Sequence, residues 1–368
     1  MLDWLKVRAP AAASVPAAAP VPPMPPAWPV LAILDAALRV PHASSAAELA
    51  DALAARRTPP GLDPALADDD GFPVMTARCA AADDADAIAR EAGADLSLDD
   101  EGWRALALAG AVVDELAARL AGDAASAAGL PVLALAALAP PGWTAMQHAA
   151  ARRWLHGRIV RAGWPADRVV IDEDGGGVAD PAPVLERAAA RLALVVACDS
   201  AIGADTIGRW AAQGMLLSAS HAQGFLPGEG AVALLVDGVA GAPPGAVCAT
   251  LAESLGADPA SLAGLTAAVL QRADVAPDDV ALLVADTGHR TGPVLELARH
   301  AAQALPQLDG ADGVVRAGLA CGTCGAVPWF AALALAWHHV RVRGAPVLCV
   351  ANEDPGRRRI ACLRRKPM

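Results

Sequence analysis

The 368-residue chain has no tyrosine, only three phenylalanines, and lysine only at Lys6 and Lys366. With 29 basic against 40 acidic side chains its net charge is -11. Phosphate affinity needs a basic face, so a free-standing nucleic-acid binder is excluded. Long hydrophobic runs are also missing: the longest, residues 130–139 and 325–337, fall short of the roughly 20 residues that span a bilayer, so no membrane span is expected. Seven cysteines (Cys79, Cys198, Cys248, Cys321, Cys324, Cys349 and Cys362) are too few and too scattered for a disulfide framework. That pattern implies a reducing cytoplasm, and no cofactor or metal is expected.

Hydrophobic residues make up 55% of the chain and charged ones 19%, enough for a large core in one large domain or two small ones. Alanine is roughly a quarter of the residues, so helix propensity is cheap everywhere and discriminates poorly. Residues 1–30 are rich in Ala and Pro without periodic apolar spacing, which reads as a disordered arm of polyproline type. Residues 31–70 read as a lead-in of short helical stretches ending in the acidic triplet 68–70, and the compact domain is expected to start near Gly71.

From there helices alternate with short apolar strands. Residues 103–120 show helical spacing, and residues 130–139 form a run without polar alternation, as suits a strand buried on both faces. Helix 144–163, strand 168–171, helix 184–192 and strand 194–197 continue a βαβ grammar with a parallel sheet. Helix 261–273 and strand 281–285 then repeat the phrase, which points to an internal duplication. The halves are placed at residues 71–245 and 246–368.

The segment 194–236 contains Gly224-Phe225 and Gly228-Glu229-Gly230 running into an apolar strand. It resembles the "GF..GEGAG" passage of the β-ketoacyl synthases of the thiolase superfamily. Residues 265–292, with Gly288, are similar to that family's passage around "HGT", and residues 318–337, with Gly322 and Gly325, to its "GH..GAAG" passage. Residues 103–138 are similar to a further family element. These four segments stand in family order over most of residues 100–365. The resemblance implies an α/β thiolase-like fold: a duplicated five-layer αβαβα sandwich with two mixed five-stranded sheets, commonly a dimer.

A condensing enzyme of this family needs a cysteine at the N-terminus of a buried helix, where the helix dipole and a neighbouring histidine favour the thiolate. Residues 166–197 contain no Cys, Ser or Thr, and the nucleophile position falls between Asp174 and Asp180. Aligning Gly288 with the glycine of "HGT" puts Thr287 at the first family histidine, and aligning Gly322 and Gly325 puts Leu319 at the second. The family's Gly-rich gating loop is replaced by Asn352-Glu353-Asp354-Pro355-Gly356. A leucine donates no hydrogen bond to an oxyanion, and an Asp-rich nucleophile loop repels an enolate and a malonyl carboxylate alike.

The reading is a pseudoenzyme that acts by binding a protein. Its partner would be an active synthase, as for chain-length-factor subunits, an acyl carrier protein, or an effector carried by a bacterial secretion system for which the chain is an adaptor. A homodimer or heterodimer is expected. The rival is an acyl-thioester condensing enzyme or acyltransferase with relocated residues, built on Cys198 or Cys321 with His289. Against the rival, Cys198 reads as a core thiol, Cys321-Gly-Thr-Cys324 as structural, and His289 as a surface or capping residue. His338 and His339 read as partners of a helix C-terminal dipole. The basic residues 357–359 and 364–366 read as a charged edge strand or as a contact for an acidic partner.

Overall fold

The computed structural model describes residues 30–82, 85–92, 96–123, 130–172, 180–256, 260–310 and 312–367. The expected N-terminal arm, bar Val30, and Asp174 lie outside them. The elements of the first half are β1 (Leu31–Arg39), α1 (Ala46–Ala54), β2 (Gly61–Ala67), β3 (Pro73–Thr76), α2 (Ala85–Ala92), α3 (Asp100–Asp123), β4 (Leu133–Leu138), α4 (Ala145–Arg161), β5 (Val169–Ile171), α5 (Pro181–Ala188), β6 (Ala193–Ser200), α6 (Ala204–Ala212) and β7 (Glu229–Gly238). The second half holds β8 (Val247–Leu255), α7 (Ala260–Ala273), β9 (Leu282–Ala285), α8 (Thr291–Ala304), β10 (Val314–Arg316), α9 (Gly318–Cys321), α10 (Val327–Arg343), β11 (Val347–Ala351) and β12 (Arg357–Arg365).

The duplication is visible in strand order. Among the described residues the main sheet runs β10-β9-β11-β12-β8-β1-β7-β6-β4-β5. Counted from its own first strand, each half therefore has the order 3-2-4-5-1, with the fifth strand antiparallel to its neighbours. The two five-stranded sheets expected from the resemblance are joined into one hydrogen-bonded sheet, because first strands β1 and β8 pair antiparallel over Leu31–Ile33 and Val247–Ala249.

Side-chain alternation sorts this sheet into five layers. In β4, Leu133, Leu135 and Ala137 face α3 and α4, while Ala134, Ala136 and Leu138 face the centre. In the second half Leu283, Leu348 and Ile360 face α7 and α8, while Leu282, Val347 and Ala361 face the same centre. The central layer is α5 and α10, whose side chains share one core with both inward faces. Because residues 327–337 of α10 are apolar all round, that stretch is stable only when walled in. Residues Val327 through Trp337 are all buried. Gly344, at φ 74°, ends the helix with its N–H on Val340 O.

Residues 31–70 correct the expectation of a helical lead-in. Leu31–Arg39 is a strand pairing with β7 along its length and with β8 at its start, so residues 31–39 belong to the compact fold, which does not start near Gly71. Buried between two strands, β1 shows little polar alternation, and its Ala/Leu composition mimics a helix. The basic stretch 357–359 is likewise no edge: β12 lies between β11 and β8.

The GEG motif is structural. A Cβ on Gly228 would come 2.0 Å from Cys321 O, so only glycine permits the close approach of these two segments. Glu229, fully buried, accepts two hydrogen bonds from Arg104 (2.8 and 2.6 Å), one from Ser200 Oγ (3.0 Å) and one from Cys79 N (2.7 Å). It ties β7 to α3 and to the segment after β3. Replacing Glu229 with Ala removes the buried carboxylate that accepts two hydrogen bonds from Arg104, whose side chain is 12% exposed. We expect a loss of about 3–5 kcal/mol in urea unfolding, and a loss under about 1 kcal/mol would show that the pair does not anchor the fold.

Candidate functional site

A cleft of about 690 Å³ opens where the N-termini of α5 and α10 approach the loops after β9 and β11. Its apolar wall includes Phe225, Cys324, Pro328 and Trp329. Its ionisable groups are Asp180, Asp286, Glu353 and Asp354 against Arg290, Arg357 and Arg359.

Asp180 caps α5, its side chain accepting from Ala182 N at 3.1 Å. It pairs with Arg357 at 2.5 Å and Arg359 at 3.5 Å on β12, and both arginines also pair with Glu253 on β8. Burial pushes the Asp180 carboxyl up, but the hydrogen bonds and charges of Arg357, the Ala182 N–H and Arg359 outweigh it and hold the group below its usual range. The end of a first-half helix is thus clamped to the second half by a four-member ionic cluster.

The loop after β11 is clamped as well. Asp286, 7% exposed, accepts the backbone N–H groups of Asn352 (2.9 Å) and Glu353 (3.2 Å). Thr287, fully buried, donates to Asn352 Oδ1 at 2.5 Å. Asn352 Nδ2 donates to Pro293 O (2.8 Å) and Glu296 Oε2 (3.0 Å). Glu353 accepts from Gly288 N (2.9 Å) and Arg290 Nε (2.7 Å), and Arg290 also lies over the Phe225 ring at 5.0 Å. Every residue from 286 to 290 except His289 therefore helps hold segment 352–353 or the cleft wall.

The positions marked in the sequence separate accordingly. Asp180, Phe225, Gly322 and Gly325 line the cleft. Thr287 stands immediately behind its Asp286 wall, whereas Leu319, half-buried in α9, and His289 are not among its walls. Cys198 packs in the outer core against α3 and α4, and burial followed by the charge of Asp199 pushes its thiol far up. Burial, with Cys79 and Asp286, pushes the Cys321 thiol up to about 12, and Cys324 Sγ is turned onto Cys321 O at 3.4 Å. Burial of this kind disfavours the thiolate form. Among the described residues no three His, Cys, Asp or Glu side chains are grouped to hold a metal, and no helix is long and apolar enough to cross a membrane.

Two expectations change. His338 and His339 are not cationic dipole partners: burial and the neighbouring Arg341 and Arg343 lower both, His339 to about 4, so they are neutral at pH 7. Arg358 and Arg359 are buried and paired, with Glu296 and with Glu253 and Asp180, rather than solvated. Arg290 and Asp286 were not singled out in the sequence; their partners lie more than 60 residues away, so local pattern carries no signal for them.

Comparison with solved structures fixes the architecture. The ishigamide ketosynthase/chain length factor superposes with a TM-score of 0.60 at 18% identity, covering 91% of this chain and 99% of that one. The fold is that of the ketosynthases. The ketosynthase from module 6 of the bacillaene synthase of Bacillus subtilis 168 gives 0.61 at 13% identity, covering 92% and 72%. An oxazolomycin ketosynthase domain of Streptomyces albus JA3453 gives 0.61 at 13%, covering 92% and 76%. No family model and no curated protein matches the sequence.

Burial pushes the Asp286 carboxyl up to about 7, the Asn352 N–H partly opposing it, and burial likewise raises Asp199 to about 7. An unfolded Asp titrates near 3.8, so the folded state holds these protons between about pH 4 and 7, and stability falls as pH rises through that window and levels above it. In Asp286→Asn, whose amide oxygen still accepts both N–H groups, roughly half of that slope should disappear from denaturant midpoints measured between pH 5 and 8. An unchanged slope would show that Asp286 is ionised throughout.

Proposed function

We propose that this chain is a ketosynthase-like protein that does not condense acyl thioesters and works by binding another protein. The observation that carries the reading is at the head of α5, where the fold's chemistry calls for a thiolate. Residues 166–197 hold no Cys, Ser or Thr, and Asp180 at the cap is committed to Arg357 and Arg359. An anionic cap opposes a developing enolate rather than stabilising it.

Two further observations support it. The counterpart of the gating loop is bound by Asp286, Thr287, Gly288 and Arg290, so its opening would break several buried hydrogen bonds at about 1 kcal/mol each. The positions aligned with the two histidines carry Thr287 and Leu319. The rival reading, an enzyme built on Cys198 or Cys321 with His289, is disfavoured because both thiols are buried and His289 does not line the cleft.

The partner fits one of three kinds: an active synthase, an acyl carrier protein, or an effector for which the chain is an adaptor. A synthase is favoured because one solved structure of this fold is described as a ketosynthase/chain length factor. The sheet's outer strand β5, with Val170 43% exposed, offers an edge on which a second sheet extends the first.

Incubation with malonyl and acyl thioesters followed by intact-mass measurement should leave the mass unchanged. A thioester adduct lost in the Cys198→Ala/Cys321→Ala double variant would establish the rival. Affinity capture from the native host should return a stoichiometric partner, and recovery of a self-dimer alone would count against the binding role.

A further inference from the structure

Asp286 divides its two carboxyl oxygens between different tasks. Its Oδ1 accepts both loop N–H groups, from Asn352 at 2.9 Å and from Glu353 at 3.2 Å. Its Oδ2 has no hydrogen-bond partner among the described residues, yet Asp286 lines the cleft and Oδ2 is not sealed from it. A polar atom left open in the wall of an otherwise bonded site is where a ligand is recognised.

The charges around this oxygen leave nothing for an ionic ligand. On the loop Glu353 is paired with Arg290, and on β12 Arg357 and Arg359 are paired with Asp180 and Glu253. Asp354, exposed at the rim, accepts from Gly356 N at 2.8 Å. Behind Asp286, burial keeps the Cys321 thiol of α9 uncharged, while Arg316 of β10 donates to Gly288 O at 3.0 Å and feels the charge of Glu353. Burial first, and then the Glu353 charge, favours the acid form of Asp286; the loop N–H groups and Arg359 oppose this without reversing it, and the proton is held to about pH 7. With that proton in place the cleft wall carries three carboxylates (Asp180, Glu353, Asp354) and three guanidiniums (Arg290, Arg357, Arg359), so neither an anion nor a cation finds an unspent counter-charge. Much of the remaining wall is apolar, with Phe225, Pro328 and Trp329.

We propose that the cleft binds an uncharged ligand with an apolar body and a carbonyl oxygen, to which Asp286 Oδ2 donates a hydrogen bond. A carboxylic acid kept neutral against apolar surface is a donor of this kind. Ionisation turns Oδ2 from donor to acceptor, so the carbonyl then meets a negative oxygen and binding is lost. Asp286→Asn keeps an oxygen for the loop and presents an amide N–H to the cleft that does not titrate. The inference does not rest on the protein-binding role, and its readout is one that role does not affect.

The probe is the uncharged naphthyl ketone Prodan, whose emission moves to the red when its carbonyl accepts a hydrogen bond, titrated with the full chain. Saturable binding is expected at pH 6, weakening roughly tenfold by pH 8 as Asp286 ionises. In Asp286→Asn the affinity should stay within about threefold of wild type at pH 6 and remain flat to pH 8. Dimethylaminonaphthalene, the same ring system without the ketone, should lose most of the pH dependence. Absence of saturable Prodan binding at pH 6 would overturn the proposal. So would a wild-type pH profile in Asp286→Asn, loss of binding in a folded Asp286→Asn, or equal pH profiles for the two probes.

Discussion

A helix without a polar face dictates this architecture. Residues 327–337 have no side to offer to water, so α10 must be enclosed, and the fold encloses it between the inward faces of two half-sheets. One sheet can face α10 from both sides only if it curls back on itself. Its hinge is the three-residue pairing of β1 with β8. Trp337 fastens the helix there, its indole N–H donating to Ile33 O at 3.1 Å. With α5 in the same layer, the two central helices point their N-termini towards one region, and a cleft forms where the loops after β9 and β11 meet them.

The two ends of α10 then meet opposite electrostatic treatment. At the N-terminal end every arginine on the cleft wall has an internal carboxylate partner, and Asp180, Glu253 and Glu353 are partners to them. Such pairs stabilise little net of desolvation, but removing one member leaves a buried charge, so the cluster fixes geometry more than it adds stability. At the C-terminal end the arginines complement the helix dipole, and Arg365 also reaches the last carbonyls. Charge at one end is closed on carboxylates; at the other it is spent on carbonyls and the Trp337 ring.

Much of this was legible from residue order. The α/β alternation, the duplication and the passages around Gly228, Gly288 and Gly322 placed most elements from residue 100 onward, because buried strands and long helices differ in length even when both are Ala-rich. Strand β1 was not legible: its two flanking strands come from residues 229–255, and an Ala-rich segment buried on both sides loses the period-2 signal. The cleft was partly legible. Its glycines and Asp180 were marked, but the arginines that neutralise Asp180 lie 177 and 179 positions away, a pairing no local window contains. The basic tail showed the same limit, since only the fold divides Arg358 and Arg359, buried and paired, from Arg365, which is exposed.

On the proposed reading, the coupling of these residues keeps condensing chemistry more than one substitution away. Asp180→Cys would set a thiol beside Arg357 and Arg359, which favours a thiolate. The same change would take from both arginines a partner and leave Glu253 alone to neutralise them. Thr287→His would replace a small, fully buried hydroxyl whose bond to Asn352 helps hold the 352–353 loop, and a ring there must displace that loop. Each catalytic gain is opposed by a structural loss in the same network. The present residues are therefore a self-consistent set, in which the loop, the helix cap and the arginines of β12 hold one another in place.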